Sequence, residues 1–247
     1  MSQHDLPLII PDWPAPAGVR AIVTTRPGGV SAAPYDSLNL GGRVGDVASA
    51  VEENRRRLYS LLPAAPRWLN QVHGVTVVDA DRDGDGSEAD AICSHRANVP
   101  CAIMTADCLP VLFTDRAGSV VAAAHAGWRG LCGGVLEASV AAMRVAPTDI
   151  IAWLGPAIGP AQFEVGPEVR EAFVSHDPMA AQAFQPGKAD RWMADIYALA
   201  RQRLTGAGLA ADAISGGNLC TVSDAGRFFS YRRDGVTGRM ASLIWRE

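Results

Sequence analysis

The spacing of apolar positions changes period several times along the chain, and each change marks an element. Val19 to Thr25 is rich in β-branched residues and stops at Arg26-Pro27-Gly28-Gly29, which predicts a strand closed by a turn. From Asp46 the period lengthens. Val47, Val51, Leu58, Leu61 and Leu62 fall on one helical face, with Asp46 placed to cap it and Pro63 to end it. Arg55, Arg56 and Arg57 then point mostly to solvent. Short strand-like runs crowd together after that: Val75 to Asp79, Ala89 to Cys93, Val99 to Met104, Leu109 to Thr114 and Ser119 to His125. Helical spacing returns at Val135, Leu136, Val140 and Met143, and again at Ile196, Leu199, Ala200 and Leu204. Ile150 to Leu154, Ala213 to Ser215, Phe228 to Tyr231 and Met240 to Trp245 read as further strands. Helices and strands mix without a regular βαβ order or a repeat, which predicts an α+β fold of mixed β-sheets covered by helices. No low-complexity linker interrupts residues 1–247, so a single domain is expected.

Composition narrows the function. The 247 residues are 48% hydrophobic, enough to bury a sizeable core. Lys and Arg number 22 against 26 Asp and Glu, so no global positive field gathers nucleic acid or anionic lipid. Met1 to Asp5 carry no positively charged leader, and Pro7, Pro11, Pro14 and Pro16 break the apolar stretch that follows. No window approaches the roughly 18 apolar residues of a membrane span. A soluble, cytoplasmic protein with neither nucleic acid nor membrane as partner is expected. Five cysteines, an odd number, point to a reducing compartment in which a special cysteine is a ligand or a nucleophile.

Asp81-Arg82-Asp83-Gly84-Asp85-Gly86 imitates the opening of a calcium loop, but its twelfth position is Ile92 and no helix pattern precedes it, so it reads as a solvated acidic turn. Asn70-Gln71-Val72-His73-Gly74 places His73 at a loop or strand end. Thr105-Ala106-Asp107-Cys108-Leu109-Pro110 is a polar break between two apolar runs, and such a break needs a use or a hydrogen-bond partner. His125 ends a strand of very small side chains. His73, Cys108 and His125 together make a ligand set suited to a catalytic zinc with its fourth position open, although the long spacings leave this and the satisfied-polar-residue reading both open. Cys93 and Cys101 lie in apolar runs and read as buried hydrophobes. Gly127-Trp128-Arg129-Gly130-Leu131-Cys132-Gly133-Gly134 is neither a dinucleotide fingerprint nor a P-loop. It reads equally as an anion-binding turn helped by Arg129 and as a tight-packing turn.

These strings resemble the YfiH-type family, variously called laccase-domain proteins, polyphenol oxidase-like proteins, purine nucleoside phosphorylases or peptidoglycan editing factors. The matching pieces are Asn39-Leu40-Gly41 with Val44-Gly45-Asp46, Asn70 to Gly74, Ala89-Asp90-Ala91, Thr105 to Pro110, His125 to Gly130, Trp153 to Gly159 and Phe229 to Gly235, in order over nearly the whole chain. The resemblance implies an α/β/β/α sandwich and zinc on His73, Cys108 and His125. It also implies phosphorolysis of adenosine, inosine and methylthioadenosine, with deamination of adenosine. Catalytic residues are then His73, Cys108, His125 and Asp107, the last as a proton carrier, a loop holder or a partner of a ligating histidine. Asn39, Gln71, Arg129 and Arg232 are the expected substrate-binding residues, with Arg129 at the phosphate and a purine nucleoside as the other partner. Other readings remain: a cysteine hydrolase or editing factor on peptidoglycan precursors, with Cys108 as nucleophile and His125 as base, and a sensor that binds without turnover. A copper-dependent polyphenol oxidase with Met104 as axial ligand ranks low, since five histidines with no H-x-H pair are few for a copper cluster.

Overall fold

The computed structural model describes residues 6–247, so the reading of Met1 to Asp5 as free of a leader lies outside the described residues. In chain order the elements are β1 (Leu8–Ile9), β2 (Val19–Thr24), α1 (Ala48–Tyr59), β3 (Val77–Asp79), β4 (Ala91–Ser94), β5 (Cys101–Thr105), β6 (Leu109–Asp115) and β7 (Val121–Ala126). Then come α2 (Trp128–Gly133), α3 (Val135–Ala142), β8 (Ile150–Leu154), β9 (Glu164–Val165), α4 (Pro167–His176), β10 (Phe184–Pro186), β11 (Trp192–Ala194), α5 (Ile196–Gly206), β12 (Ile214–Gly216), α6 (Tyr231–Asp234) and β13 (Met240–Arg246). No helix among the described residues is long and apolar enough to cross a membrane.

Two sheets stack face to face. The larger runs β12-β8-β6-β7-β4-β3, the smaller β1-β2-β13-β5, and β10-β11-β9 form a separate three-stranded sheet. Alternation along each strand sorts side chains between layers. Ile92, Leu112, Val121, Ala123 and Trp153 pack against Val19, Val23, Cys101, Ile103 and Ile244 between the sheets. The opposite face of the large sheet, with Ala91, Val111, Phe113, Ala122 and Ala124, meets Leu136 of α3, Phe173 of α4 and Leu199 of α5. Beyond the small sheet, Ile22, Ala102 and Leu243 meet Leu58 of α1 and Trp68. The result is an α+β sandwich in α/β/β/α order.

Register brings the interesting residues to one end. Pro110 of β6 pairs with His125 of β7, and Ala91 of β4 with Ala124 of β7. Cys108, just before β6, and Asp90, just before β4, therefore lie beside His125. Met240 of β13 pairs with Thr105 at the end of β5, which places Arg239 at the same end. Ala106-Asp107-Cys108 carries the chain from the small sheet to the large one, and Asp107 takes φ 93° to do so.

Some expectations give way to tertiary contacts. Phe228 to Tyr231 is not a strand: Phe228 and Phe229 are both fully buried, against Met240, instead of alternating in and out, and Ser230 Oγ caps α6 by accepting from Arg233 N. Asp46 does not cap α1, because Oδ2 accepts from Ser31 Oγ and Asn39 Nδ2; Val47 and Leu61 are left exposed. The acidic turn is less solvated than expected: Asp85 Oδ1 accepts from Trp68 N, and Asp81 from Ser94 Oγ and His95 N. Helix α4 escapes the sequence reading, although Pro167 at its first turn and Val169 and Phe173 four apart were its signal. Cys93 and Cys101 are buried as expected.

Phe113 is fully buried between the large sheet and its helices. Phe113→Ala is expected to lower unfolding free energy by about 3–5 kcal/mol, read from urea denaturation.

Candidate metal centre

The loop before β3 and the start of β4 meet through one carboxylate. Asp90, its side chain wholly buried, accepts from three successive backbone N–H groups: Val72 at 3.2 Å, His73 at 2.9 Å and Gly74 at 2.6 Å. His73 holds φ 63°, the left-handed conformation that turns these donors inward into a concave anion nest. The same carboxylate accepts from His125 Nδ1 at 2.8 Å, leaving Nε2 of that ring for another partner. Burial by itself would raise the Asp90 carboxyl; the hydrogen bonds from His125, Gly74 and His73 outweigh it and hold the carboxyl below its ordinary value.

Cys108 completes a triangle. Its Sγ lies 3.8 Å from His73 Nε2, the His73 and His125 rings meet edge on at 4.8 Å between centroids, and one ligand atom from each of the three residues lies within 4.8 Å of the others. Burial would raise the Cys108 thiol, but His125 and His73 bring it down to about 6. For His125, burial pulls downward, and the Cys108 and Asp90 charges take it up to about 9. One sulfur and two imidazole nitrogens, one imidazole backed by a buried carboxylate, are the donors a transition-metal ion takes, and this is the only such group of three or more among the described residues.

Gly127 explains why the turn after His125 is glycine-rich. A Cβ there would come 2.8 Å from His73 Cδ2 and 3.0 Å from Cys108 Sγ, and one at Gly130 would come 2.8 Å from Gly74 O. The turn lets the triangle close. Arg129 is exposed and stacks on Trp128 at 4.5 Å, outside the cleft wall.

The triangle opens onto a cleft of about 710 Å³. Gln71 lines it with its amide clamped on Met104, donating to O at 2.8 Å and accepting from N at 2.9 Å. Asn39 is fully buried and outside the wall; its Oδ1 accepts from Gly41 N and Arg239 N. Asp107 has both oxygens engaged, by Thr221 Oγ1 and Arg232 N, each at 2.6 Å. It therefore ties the segment carrying Thr221 and Arg232 to the site. Arg232 itself reaches away to Glu164 O and lies over Phe163.

Sequence reasoning passed over several residues of this cleft. Asp90 was visible only as a lone charge inside a matching motif. Arg43, Arg55, Trp68, Tyr231 and Arg239 also line the wall. Arg55, read as a solvated helix residue, lies over Trp68 at 4.8 Å and donates from Nε to Leu40 O. Its signal was faint, because only the packing of Trp68 shows that this helix face is covered.

Asp90→Asn keeps the shape but sets an NH₂ group among N–H donors. Affinity for bound metal is expected to fall about 10- to 100-fold, measured by chelator competition. Unchanged affinity would show that Asp90 does not orient the ligands.

The chain is similar to known proteins along most of its length. The family described as multi-copper polyphenol oxidoreductase laccase matches residues 20–247. A purine nucleoside phosphorylase of Pseudomonas aeruginosa is 60% identical over 238 residues, covering 96% of this chain and 97% of that protein. The purine nucleoside phosphorylase YfiH of Escherichia coli is 57% identical over 242 residues, 96% of this chain and 98% of its own. A crystal structure of a Neisseria meningitidis protein matches with TM-score 0.93 and 51% identity, covering 97% of this chain and 99% of that one. YlmD from Geobacillus stearothermophilus matches with TM-score 0.89 and 32% identity, covering 98% and 100%. With a family match over most of its length and relatives this similar from end to end, the chain belongs to the laccase-like YfiH family.

Proposed function

We propose that this chain is a zinc-dependent purine nucleoside phosphorylase that accepts adenosine, inosine and methylthioadenosine and also deaminates adenosine. The observation that carries the reading is the Cys108, His73 and His125 triangle opening onto a cleft of small-molecule size. The names of the relatives support the same substrate class. A single three-donor group among the described residues suits one zinc better than the several centres of a multicopper oxidase.

Phosphorolysis forms a bond from a hydrogen phosphate oxygen to C1′ of the ribose as the C1′–N9 bond breaks. The bonding pair leaves with the purine, which takes up the proton the phosphate loses. Deamination replaces the amino group at C6 of adenosine with a hydroxyl from water and releases ammonia. Cys108, His73 and His125 would hold the zinc, which would supply Lewis acidity to the reaction. Asp90 keeps His125 Nδ1 protonated and its Nε2 free to bind. Asp107, engaged by Thr221 and Arg232, holds the cleft wall in place. Tyr231 offers an exposed ring along the wall to a flat base.

One specific observation favours a second reading. A thiol brought to about 6 beside an imidazole raised to about 9 is an activated nucleophile, which fits a cysteine hydrolase acting on peptidoglycan precursors. Metal separates the two, because a thiolate bound to zinc is withdrawn from attack.

The purified protein is expected to hold one zinc per chain and to release hypoxanthine from inosine only when phosphate is present. Cys108→Ala is expected to lose both. A metal-free protein without nucleoside turnover would sink the phosphorylase reading, and copper with a blue colour would replace zinc.

In protein stripped of metal, alkylation of Cys108 is expected to switch on as pH rises through about 6. Below that pH the sulfur is protonated and slow; an ordinary thiol would titrate near about 8.5. Zinc loading is expected to suppress the reaction, and a rate unaffected by zinc would place the metal elsewhere.

A further inference from the structure

Three arginines reach one wall of the cleft from different parts of the chain. Arg239 precedes β13, and its stem crosses Gly41 so closely that a Cβ there would stand 2.8 Å from Arg239 Cγ. Arg55 comes from α1, with Nη2 3.5 Å from where a Cβ on Gly42 would sit. Arg43 is the next residue. Two consecutive glycines thus leave room for the stem of Arg239 and the guanidinium of Arg55 beside Arg43.

The loop that carries them is held by hydrogen bonds. Asn39 Oδ1 accepts from Gly41 N and from Arg239 N, each at 2.9 Å, and Leu40 N donates to Arg239 O. Leu40 O in turn accepts from Arg55 Nε at 3.0 Å. Asn39 and Leu40 therefore fix the position of two arginines that come from either end of the chain.

Their charges are met only at longer range, where Cys108 and Asp107 favour the charged form of Arg239. Arg56 and Arg57, on the same helix as Arg55, both pair with Glu53. Arg43, Arg55 and Arg239 have no carboxylate at ion-pair distance among the described residues. Arg43 donates from Nη1 to Asn70 Oδ1, and Arg239 from Nη1 to the carbonyls of Thr237 and Gly238. Each guanidinium keeps further N–H groups free of protein acceptors. Asp85, the carboxylate on the same cleft wall, accepts from Trp68 N. Three guanidinium groups in the lining of one cleft offer planar N–H forks, which match the oxygens of a tetrahedral oxyanion.

We propose that Arg43, Arg55 and Arg239 form the phosphate-binding wall of this cleft and that inorganic phosphate, the co-substrate of phosphorolysis, is its occupant. The role as co-substrate rests on the phosphorylase reading; the binding of phosphate does not. The anion site then lies over Gly41-Gly42 and not at the glycine-rich turn after His125, whose glycines are taken up by contact with His73, Cys108 and Gly74.

Equilibrium binding of inorganic phosphate to the zinc-loaded protein, joined to steady-state kinetics, tests the site. Wild type is expected to bind phosphate, more weakly as salt rises. Arg43→Gln and Arg239→Gln are each expected to weaken phosphate binding and raise the phosphate KM about tenfold, with the inosine KM changed less than about threefold. Zinc content is expected to stay at the wild-type value. Should Arg239→Gln fail to fold, Arg43→Gln gives the same readout, because its side chain bonds only Asn70.

Absence of phosphate binding in wild type, or unaltered phosphate affinity in the variants, overturns the proposal. A rise in inosine KM with phosphate KM unchanged overturns it too, by assigning the wall to the nucleoside. Phosphate binding without inosine turnover keeps the site and removes the phosphorylase reading. In that event, a nucleoside 5′-monophosphate that binds more tightly than its nucleoside, and loses the advantage in Arg43→Gln, identifies a phosphate ester as the occupant.

Discussion

The Asp90 carboxylate is the interaction on which the site depends. It is buried, and a buried carboxylate without partners would cost several kcal/mol. Its four donors, Val72 N, His73 N, Gly74 N and His125 Nδ1, come from a loop and from a central strand, and the carboxylate joins the two directly. Charge-assisted hydrogen bonds contribute about 1.5–3 kcal/mol each. One residue thus sets the backbone of His73, the ring of His125 and, through His125, the state of Cys108.

The sandwich supplies the frame for that carboxylate. Strand β7 is built almost wholly of alanine between Val121 and His125, so neighbouring layers pack close while a single large polar ring stands at its end. Antiparallel register does the rest: sliding β6 by one residue against β7 would turn Pro110 and its neighbours to the wrong face. The crossing from small sheet to large at Ala106-Asp107-Cys108 puts the thiol at the junction, and the left-handed backbone at Asp107 and at His73 shows two unfavourable conformations gathered where the chemistry sits.

The cleft joins two kinds of chemistry on one surface. One end holds soft sulfur and nitrogen donors, and the wall beside it carries guanidinium groups without partner carboxylates. The family description speaks of multicopper oxidation, while the named relatives are phosphorylases. A single three-donor triangle beside an arginine wall fits the proposed phosphorylase reading, with one metal ion and an anion, better than it fits several copper centres.

What the sequence determined by itself is what depends on near neighbours. Strand and helix periods from Val19 to Trp245 marked most elements, and the motif strings around His73, Cys108 and His125 marked three side chains that the fold brings together. It marked Asp107 as a residue with a use, though not which use. Tertiary structure decided the rest. Phe228 and Phe229 fill a core instead of a strand, Asp46 serves two loops instead of a helix cap, and Asn39 holds Arg239 from 200 residues away. Asp90 and the three arginines gained their meaning in the same way. A hydrogen-bond partner or an unpaired charge is defined by distance in space, and local periodicity carries no information about which distant residue the fold will place there.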